Sequence, residues 1–199
     1  MYEAAYPTCN NDAMEASGII LAGGRGSRAG GVDKGLLPWY QSTRVEAVLQ
    51  GLQPQVDDII ISANRNLYRY RELGFTVVED QLPDYQGPLA GIAACLVHCR
   101  HPLVIVVPCD SPRLPLDLAA RLLAPLEDEE VDLSFATDGV REQYLFTAIR
   151  QRCQSSLLAF LADGERSVRD WHRRLQCKVV DFSDRADYFK NLNEAPSRE

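Results

Sequence analysis

Long hydrophobic runs are missing from this chain of 199 residues. None approaches the roughly 20 apolar residues that a membrane-spanning helix needs. The opening segment, MYEAAYPTCNNDAMEASG, lacks both a basic start and an apolar stretch of signal-peptide length, so a cytoplasmic protein is expected. A basic excess is missing too. The formal net charge is −7, which weighs against a general nucleic-acid binder. Internal repeats, low-complexity tracts and linkers are absent, so one domain over 18–199 suffices, preceded by a polar tail over 1–17 without periodicity. Met14, just before the first strand, is a candidate for the true start.

Zinc-finger spacing is absent as well. Cys95, His98, Cys99 and His101 cluster in sequence, but Cys95 and Cys99 fit one face of an apolar helix, where thiols pack as small hydrophobes. His101 precedes Pro102 beyond that helix, and no second Cys/His pair follows. The remaining cysteines, Cys9, Cys109, Cys153 and Cys177, need not form a disulfide framework in a chain of this size. Cys109 has no neighbouring base to activate it, so it reads as a packing residue and not a nucleophile.

What is present is a core. Hydrophobic residues make up 46% and charged residues 25%, as suits a globular α/β domain. Strand-like and helix-like segments alternate. Strands are predicted at 18–22, 58–62, 75–79, 103–108, 131–136, 144–149 and 178–182. Helices are predicted at 44–52, 67–73, 88–99, 116–126, 151–161 and 167–175. The run LVIVVP at 103–108 is apolar on both faces, as central parallel strands are. This alternation predicts an open, mostly parallel sheet with helices on both faces, in which ligands bind beyond the carboxyl ends of the strands. That rule points to the glycine-rich loop after the first strand, to Asp80, and to Asp110.

The loop reads LAGGRGSRAGGVDKG over 21–35 and holds six glycines, three basic side chains and one acid. Gly24, Gly26 and Ala29 satisfy the spacing of a dinucleotide fingerprint, but no helical stripe opens inside the loop and the acid expected after a second strand is missing. A P-loop would need Gly-Lys-Ser/Thr, whereas Lys34 lies between Asp33 and Gly35. Unobstructed backbone N–H groups with Arg25, Arg28 and Lys34 among them suit a triphosphate lying along the loop.

These residues resemble a known signature. LAGGxxxRxGGxDKGLL is similar to that of the molybdenum cofactor guanylyltransferases, within the nucleotidyltransferase superfamily. Further matches are Ala63-Asn64-Arg65, Val78-Glu79-Asp80, Gly87-Pro88-Leu89-Ala90-Gly91 and Pro108-Cys109-Asp110-Ser111-Pro112. Gly164-Glu165-Arg166, Asp181-Phe182-Ser183-Asp184 and Asn191-Leu192-Asn193 complete the set, so the likeness runs from Gly18 to about Asn193. It implies a Rossmann-like nucleotidyltransferase fold, GTP and molybdopterin as substrates, Mg²⁺ as cofactor, and molybdoenzymes or their chaperones as recipients of the product. The chain departs from the pattern at Ala29, at Trp39–Arg44, at Ser62 and at Tyr144.

Nucleotidyl transfer needs alignment and charge neutralisation more than a protein nucleophile. The resemblance implies that Leu21, Ala22, Gly23 and Gly24 lie under base and ribose, with Ser62 at a nucleotide-contact position. Arg28 and Lys34 would hold phosphate oxygens. Asp110 would ligate Mg²⁺ and touch the nucleotide, the bland alternative being a helix cap. Asp80 would accept guanine N1–H and N2–H, the alternative being a turn residue. Asp181, Asn191 and Asn193 are the acceptor-side candidates. Rival readings are a cytidylyl- or sugar-phosphate nucleotidyltransferase, or a protein that carries the pterin dinucleotide without making it.

Overall fold

The computed structural model describes residues 15–24, 32–80 and 86–189. A seven-stranded sheet has the order β5-β4-β1-β6-β8-β7-β9. Its strands are β1 (Ala16–Leu21), β4 (Asp58–Ser62), β5 (Thr76–Val78), β6 (Leu103–Pro108), β7 (Leu133–Thr137), β8 (Glu142–Arg150) and β9 (Cys177–Asp181). β1 pairs in parallel with β4 on one side and β6 on the other, and β4 pairs in parallel with β5. β8 runs antiparallel to both β6 and β7, while β9 is parallel to β7. One reversed strand therefore separates two parallel blocks. β2 (Pro38–Trp39) and β3 (Ser42–Thr43) form a small separate hairpin.

The central strands are buried on both faces because β-branched residues alternate between two cores. Ile20, Leu103, Ile105 and Val107 face one cluster, and Ile19, Val104 and Val106 face the other. α1 (Arg44–Leu52), α2 (Leu67–Arg71) and α4 (Leu118–Leu123) cover the first face. α3 (Pro88–Leu96), α5 (Gln154–Ala162) and α6 (Val168–His172) cover the second. The result is the three-layer arrangement that the alternation predicts.

Most differences from the predicted boundaries have local causes. β1 starts at Ala16, two residues before Gly18, because its amino end is pinned. Ala16 N–H donates to Asp57 Oδ2 at 3.0 Å, and the buried Ser17 hydroxyl donates to Asp58 Oδ1 at 2.7 Å. Ser17 Oγ also accepts the backbone N–H groups of Arg100 and His101, both at 3.1 Å. α2 ends at Arg71, ahead of Gly74, whose φ of 82° suits glycine. α4 begins only at Leu118, after Pro115. α1 opens on a capping box: Thr43 Oγ1 accepts Glu46 N–H at 3.4 Å, and Glu46 Oε2 accepts Thr43 N–H at 2.7 Å.

Candidate active site

β1, β4, β5 and β6 end at one edge of the sheet, and the order of connection reverses between β1 and β6. After β1 the chain builds outwards to β4 and β5, then returns to place β6 on the other side. Loops on the two sides of such a switch point diverge and leave a crevice. Three backbone bonds carry the ladder beyond the strand ends. Ala22 N–H donates to Ser62 O at 2.8 Å, Ala63 N–H to Val78 O at 3.0 Å, and Cys109 N–H to Leu21 O at 3.0 Å. The sheet thus sets the positions of Gly23, Asn64, Asp80 and Asp110.

At one end of the crevice stands a cationic pair partner. Asp33 caps the 3-10 turn Lys34–Leu36, accepting Gly35 N–H at 3.3 Å. The same carboxylate accepts the Tyr70 hydroxyl at 2.6 Å and Asn66 Nδ2–H at 3.0 Å. Burial and that bond to Asp33 raise the Tyr70 pKa, so the phenol stays protonated as a donor. A Cβ on Gly35 would stand 2.5 Å from the Tyr70 hydroxyl, so only glycine permits this approach. With Asp33 held at three points, Lys34 is aimed across the crevice. Its Nζ lies 3.7 Å from Asp110 Oδ2, with the two side chains 41% and 26% exposed. A pair this wet adds little stability, so either member can exchange its partner for a ligand at low cost. Asp110 caps no helix: the next one, α4, begins at Leu118 with Asp117 as its N-cap.

At the other end lies Asp80. Its Oδ2 accepts Asn64 Nδ2–H at 2.8 Å, and its backbone N–H donates to Asn64 Oδ1 at 2.8 Å. The second oxygen, Oδ1, is buried and has no hydrogen-bond partner. Burial raises the carboxyl pKa, partly opposed by the bond from Asn64. A buried acceptor in this state costs free energy until a donor reaches it. Gly91 of α3 makes room beside it, since a Cβ there would stand 3.3 Å from Asp80 Oδ1 and 2.5 Å from Ser62 Oγ.

Between the two ends, Leu21, Ala22 and Gly23 form the floor. A side chain at Gly23 would meet Asn64 Nδ2 at 3.0 Å, while one at Gly24 would enter open space. Ser62 is 2% exposed, and its hydroxyl is turned against α3. The Ser62 carbonyl fastens Ala22, accepting its N–H at 2.8 Å. Asp181 is at the far edge strand, β9, where its carboxylate accepts Ser183 N–H at 2.8 Å and Ser183 Oγ–H at 3.1 Å. Those bonds hold its pKa below the usual range and close a turn. Arg28, Asn191 and Asn193 lie outside the described residues, as does Arg25.

Among the described residues, the cysteines of the core behave as hydrophobes. Cys95 and Cys99 pack in the core beneath α3, and burial pushes the Cys109 thiol up to about 12. A thiol this weakly acidic is no nucleophile near neutral pH. Sequence reasoning missed Asn66 and Tyr70 and gave Arg65 no role. Their sequence signal was weak, because their partners lie across the crevice, on the far side of the glycine loop. It also missed Arg44, which is 1% exposed with Nε and Nη2 unpartnered.

The profile of the MobA-like NTP transferase domain matches residues 18–179. The molybdenum cofactor guanylyltransferase of Shewanella sediminis is 41% identical over 180 residues, covering 90% of this chain and 92% of its own. The chain belongs to the molybdenum cofactor guanylyltransferase family. Among solved structures, the molybdopterin-guanine dinucleotide biosynthesis protein A of Archaeoglobus fulgidus superposes with a TM-score of 0.72 at 19% identity, over 90% of this chain and 93% of that one. A Mycobacterium tuberculosis protein crystallised in complex with manganese superposes with a TM-score of 0.60 at 19% identity, over 85% of this chain and 88% of that one. Both superpositions show the same overall fold as this chain.

Proposed function

We propose that this chain transfers GMP from GTP to the terminal phosphate of molybdenum-loaded molybdopterin, giving the guanine dinucleotide cofactor and pyrophosphate. The observation that carries this reading is the switch-point crevice itself. Lys34 and Asp110 stand 3.7 Å apart at one end, and the unpartnered Asp80 Oδ1 waits at the other. Guanine offers two adjacent donors, N1–H and N2–H, to a carboxylate, which adenine and cytosine do not. The backbone of Leu21, Ala22, Gly23 and Gly24 lies under the nucleoside, and Lys34 with Arg28 holds phosphate oxygens.

Among the described residues Asp110 is the carboxylate paired with Lys34, and no cluster of three or more His, Cys, Asp or Glu forms a protein-only cage. A single fixed carboxylate completed by phosphates and water is a pattern that Mg²⁺ takes, so the donor set fits that ion. A divalent cation, when bound, neutralises charge on the α-phosphate and the leaving pyrophosphate. Asp110 holds it, Lys34 draws the phosphates into line, and Asn64 keeps Asp80 edge-on to the base. Asp181, Asn191 and Asn193 belong to the acceptor side in this reading, and molybdoenzymes or their chaperones receive the product. The reaction runs in the cytoplasm. No helix among the described residues is long and apolar enough to cross a membrane.

The test is pyrophosphate release with GTP, Mg²⁺ and molybdenum-loaded molybdopterin. Turnover that depends on all three supports the reading. Equal turnover with CTP, or with a sugar phosphate as acceptor, sinks it, and tight binding of the dinucleotide without pyrophosphate release makes the chain a carrier.

A further inference from the structure

Three consecutive side chains between β4 and α2 point to three different parts of the crevice. Asn64 Nδ2 donates to Asp80 Oδ2 at 2.8 Å and to Gly23 O at 3.3 Å. Arg65 Nη2 donates to Gly24 O at 3.3 Å and to Val32 O at 3.4 Å. Those two carbonyls belong to the residues on either side of the undescribed part of the glycine loop, so one guanidinium nitrogen ties the loop's two ends together. Asn66 Nδ2 donates to Asp33 Oδ2 at 3.0 Å, and Asp33 is the residue that aims Lys34. This fan of directions depends on a left-handed backbone at Asn66, with φ 49° and ψ 34°. Asparagine is among the few non-glycine residues that adopt that conformation readily.

We propose that Arg65 is a positioning residue, and that the Asn64–Asn66 turn is a junction joining the base end of the crevice to its phosphate end. Resting on the guanylyltransferase reading above, this deepens it by assigning the turn a division of labour. Asn64 serves the base end, through Asp80. Arg65 and Asn66 serve the phosphate end, by fixing the span of the glycine loop and the direction of Lys34. Closing a loop in advance removes an ordering cost that the triphosphate would otherwise meet on binding. Arg65 therefore acts on phosphates without touching them, and its effect is confined to ligands that carry them.

The experiment measures equilibrium binding of guanosine and of GTP to the full chain, with Arg65→Gln, Arg65→Lys, Asn66→Gly and Asn64→Ala as variants. Arg65→Gln is expected to weaken GTP by about tenfold and leave guanosine within about twofold. Arg65→Lys keeps one cation and should restore part of the GTP affinity. Asn66→Gly keeps the left-handed backbone while losing the bond to Asp33, so it should follow the Arg65→Gln pattern. Asn64→Ala should weaken both ligands. The urea midpoint of each variant serves as a folding control, and Asn66→Gly stands in should Arg65→Gln fail to fold. GTP affinity unchanged in Arg65→Gln and Asn66→Gly overturns the proposal, and so does an equal loss of guanosine and GTP in both. A parent chain that binds neither ligand, or prefers cytidine and CTP, overturns the functional reading instead.

Discussion

Acidification should destabilise this protein through one buried side chain, His172. It is 3% exposed, and both ring nitrogens lie buried without a hydrogen-bond partner. Phe135, Tyr144 and Trp171 surround it, with ring centroids at 5.2, 5.4 and 5.7 Å. Such a site cannot accept a charged imidazolium, and burial lowers the pKa from 6.5 to about 4. The folded value is below the unfolded one, so the unfolded chain takes up the proton first as pH falls. Stability from the neutral ring is complete above pH 6.5, falls between 6.5 and about 4, and falls no further below. A shift of this size corresponds to about 3 kcal/mol. His172→Phe keeps an aromatic ring in the box and removes the titration. Urea unfolding of both proteins from about pH 8 to about pH 4 isolates the term, since the carboxylates titrate alike in each. The parent's midpoint should fall by roughly 1 to 2 M more than the variant's. Parallel pH profiles for the two proteins would refute the argument, because they would mean that His172 is paired or solvated when folded.

Four further outcomes follow from the same geometry. Asp110→Asn should fold normally, since it caps no helix, and lose about a hundredfold in turnover, with part regained at high Mg²⁺ or with Mn²⁺; full activity at ordinary Mg²⁺ rejects the metal-ligand role. Lys34→Ala should raise the apparent GTP constant or slow turnover by about tenfold, read from steady-state rates across GTP concentrations. Asp80→Asn removes an acceptor and should narrow the preference for GTP over inosine triphosphate, which lacks the 2-amino group; an unchanged ratio of kcat/KM values moves Asp80 off the base edge. Arg44→Met replaces a buried guanidinium, two of whose nitrogens lack partners, with an apolar chain of similar length and should stabilise the fold by about 1 to 3 kcal/mol in urea unfolding.

The parts of the fold that sequence pattern could reach are those governed by burial. LVIVVP is apolar at every position, and it becomes the strand at the centre of the sheet, with Asp110 at its carboxyl edge, where the switch-point rule puts a ligand. The reversal of β8 was not legible, because a strand buried among neighbours has the same pattern whichever way it runs. The hairpin of β2 and β3 also escaped notice. Its strands are two residues long, and its turn places Tyr40 at φ 50°, where glycine or asparagine would be the usual signal. Lys34 and Asp110 could be named from their surroundings in the chain, although their approach to 3.7 Å could not. Arg65 was quoted within a motif and left without a role, since its contacts depend on where Gly24 and Val32 come to lie in space. Ser62 is a different case. The resemblance puts it at a nucleotide-contact position, but the burial of its hydroxyl against Gly91 of α3 could not be read from the chain.

The reversed strand β8 bears on how the pocket can change over evolutionary time. It leaves β6 after the pair Val106–Thr147, and its amino half rejoins β7 at Gln143 and Glu142, past an irregularity in which Tyr144, Leu145 and Phe146 have no ladder partner. On that side of β6 the sheet is therefore continued by the arm of a hairpin, whereas the Asp80 side is built from loops that follow strand ends. Loops absorb insertions of any length. The paired parts of the arm do not, because a slip of one residue there exchanges the faces of Thr147 and Ala148. The side after β1 and β5 can thus be remodelled by lengthening the chain, but the paired parts of the hairpin side are confined to side-chain exchange or to insertions in steps of two. Lineages of this fold should accordingly vary in length after β1 and β5 and stay constant in register along β8.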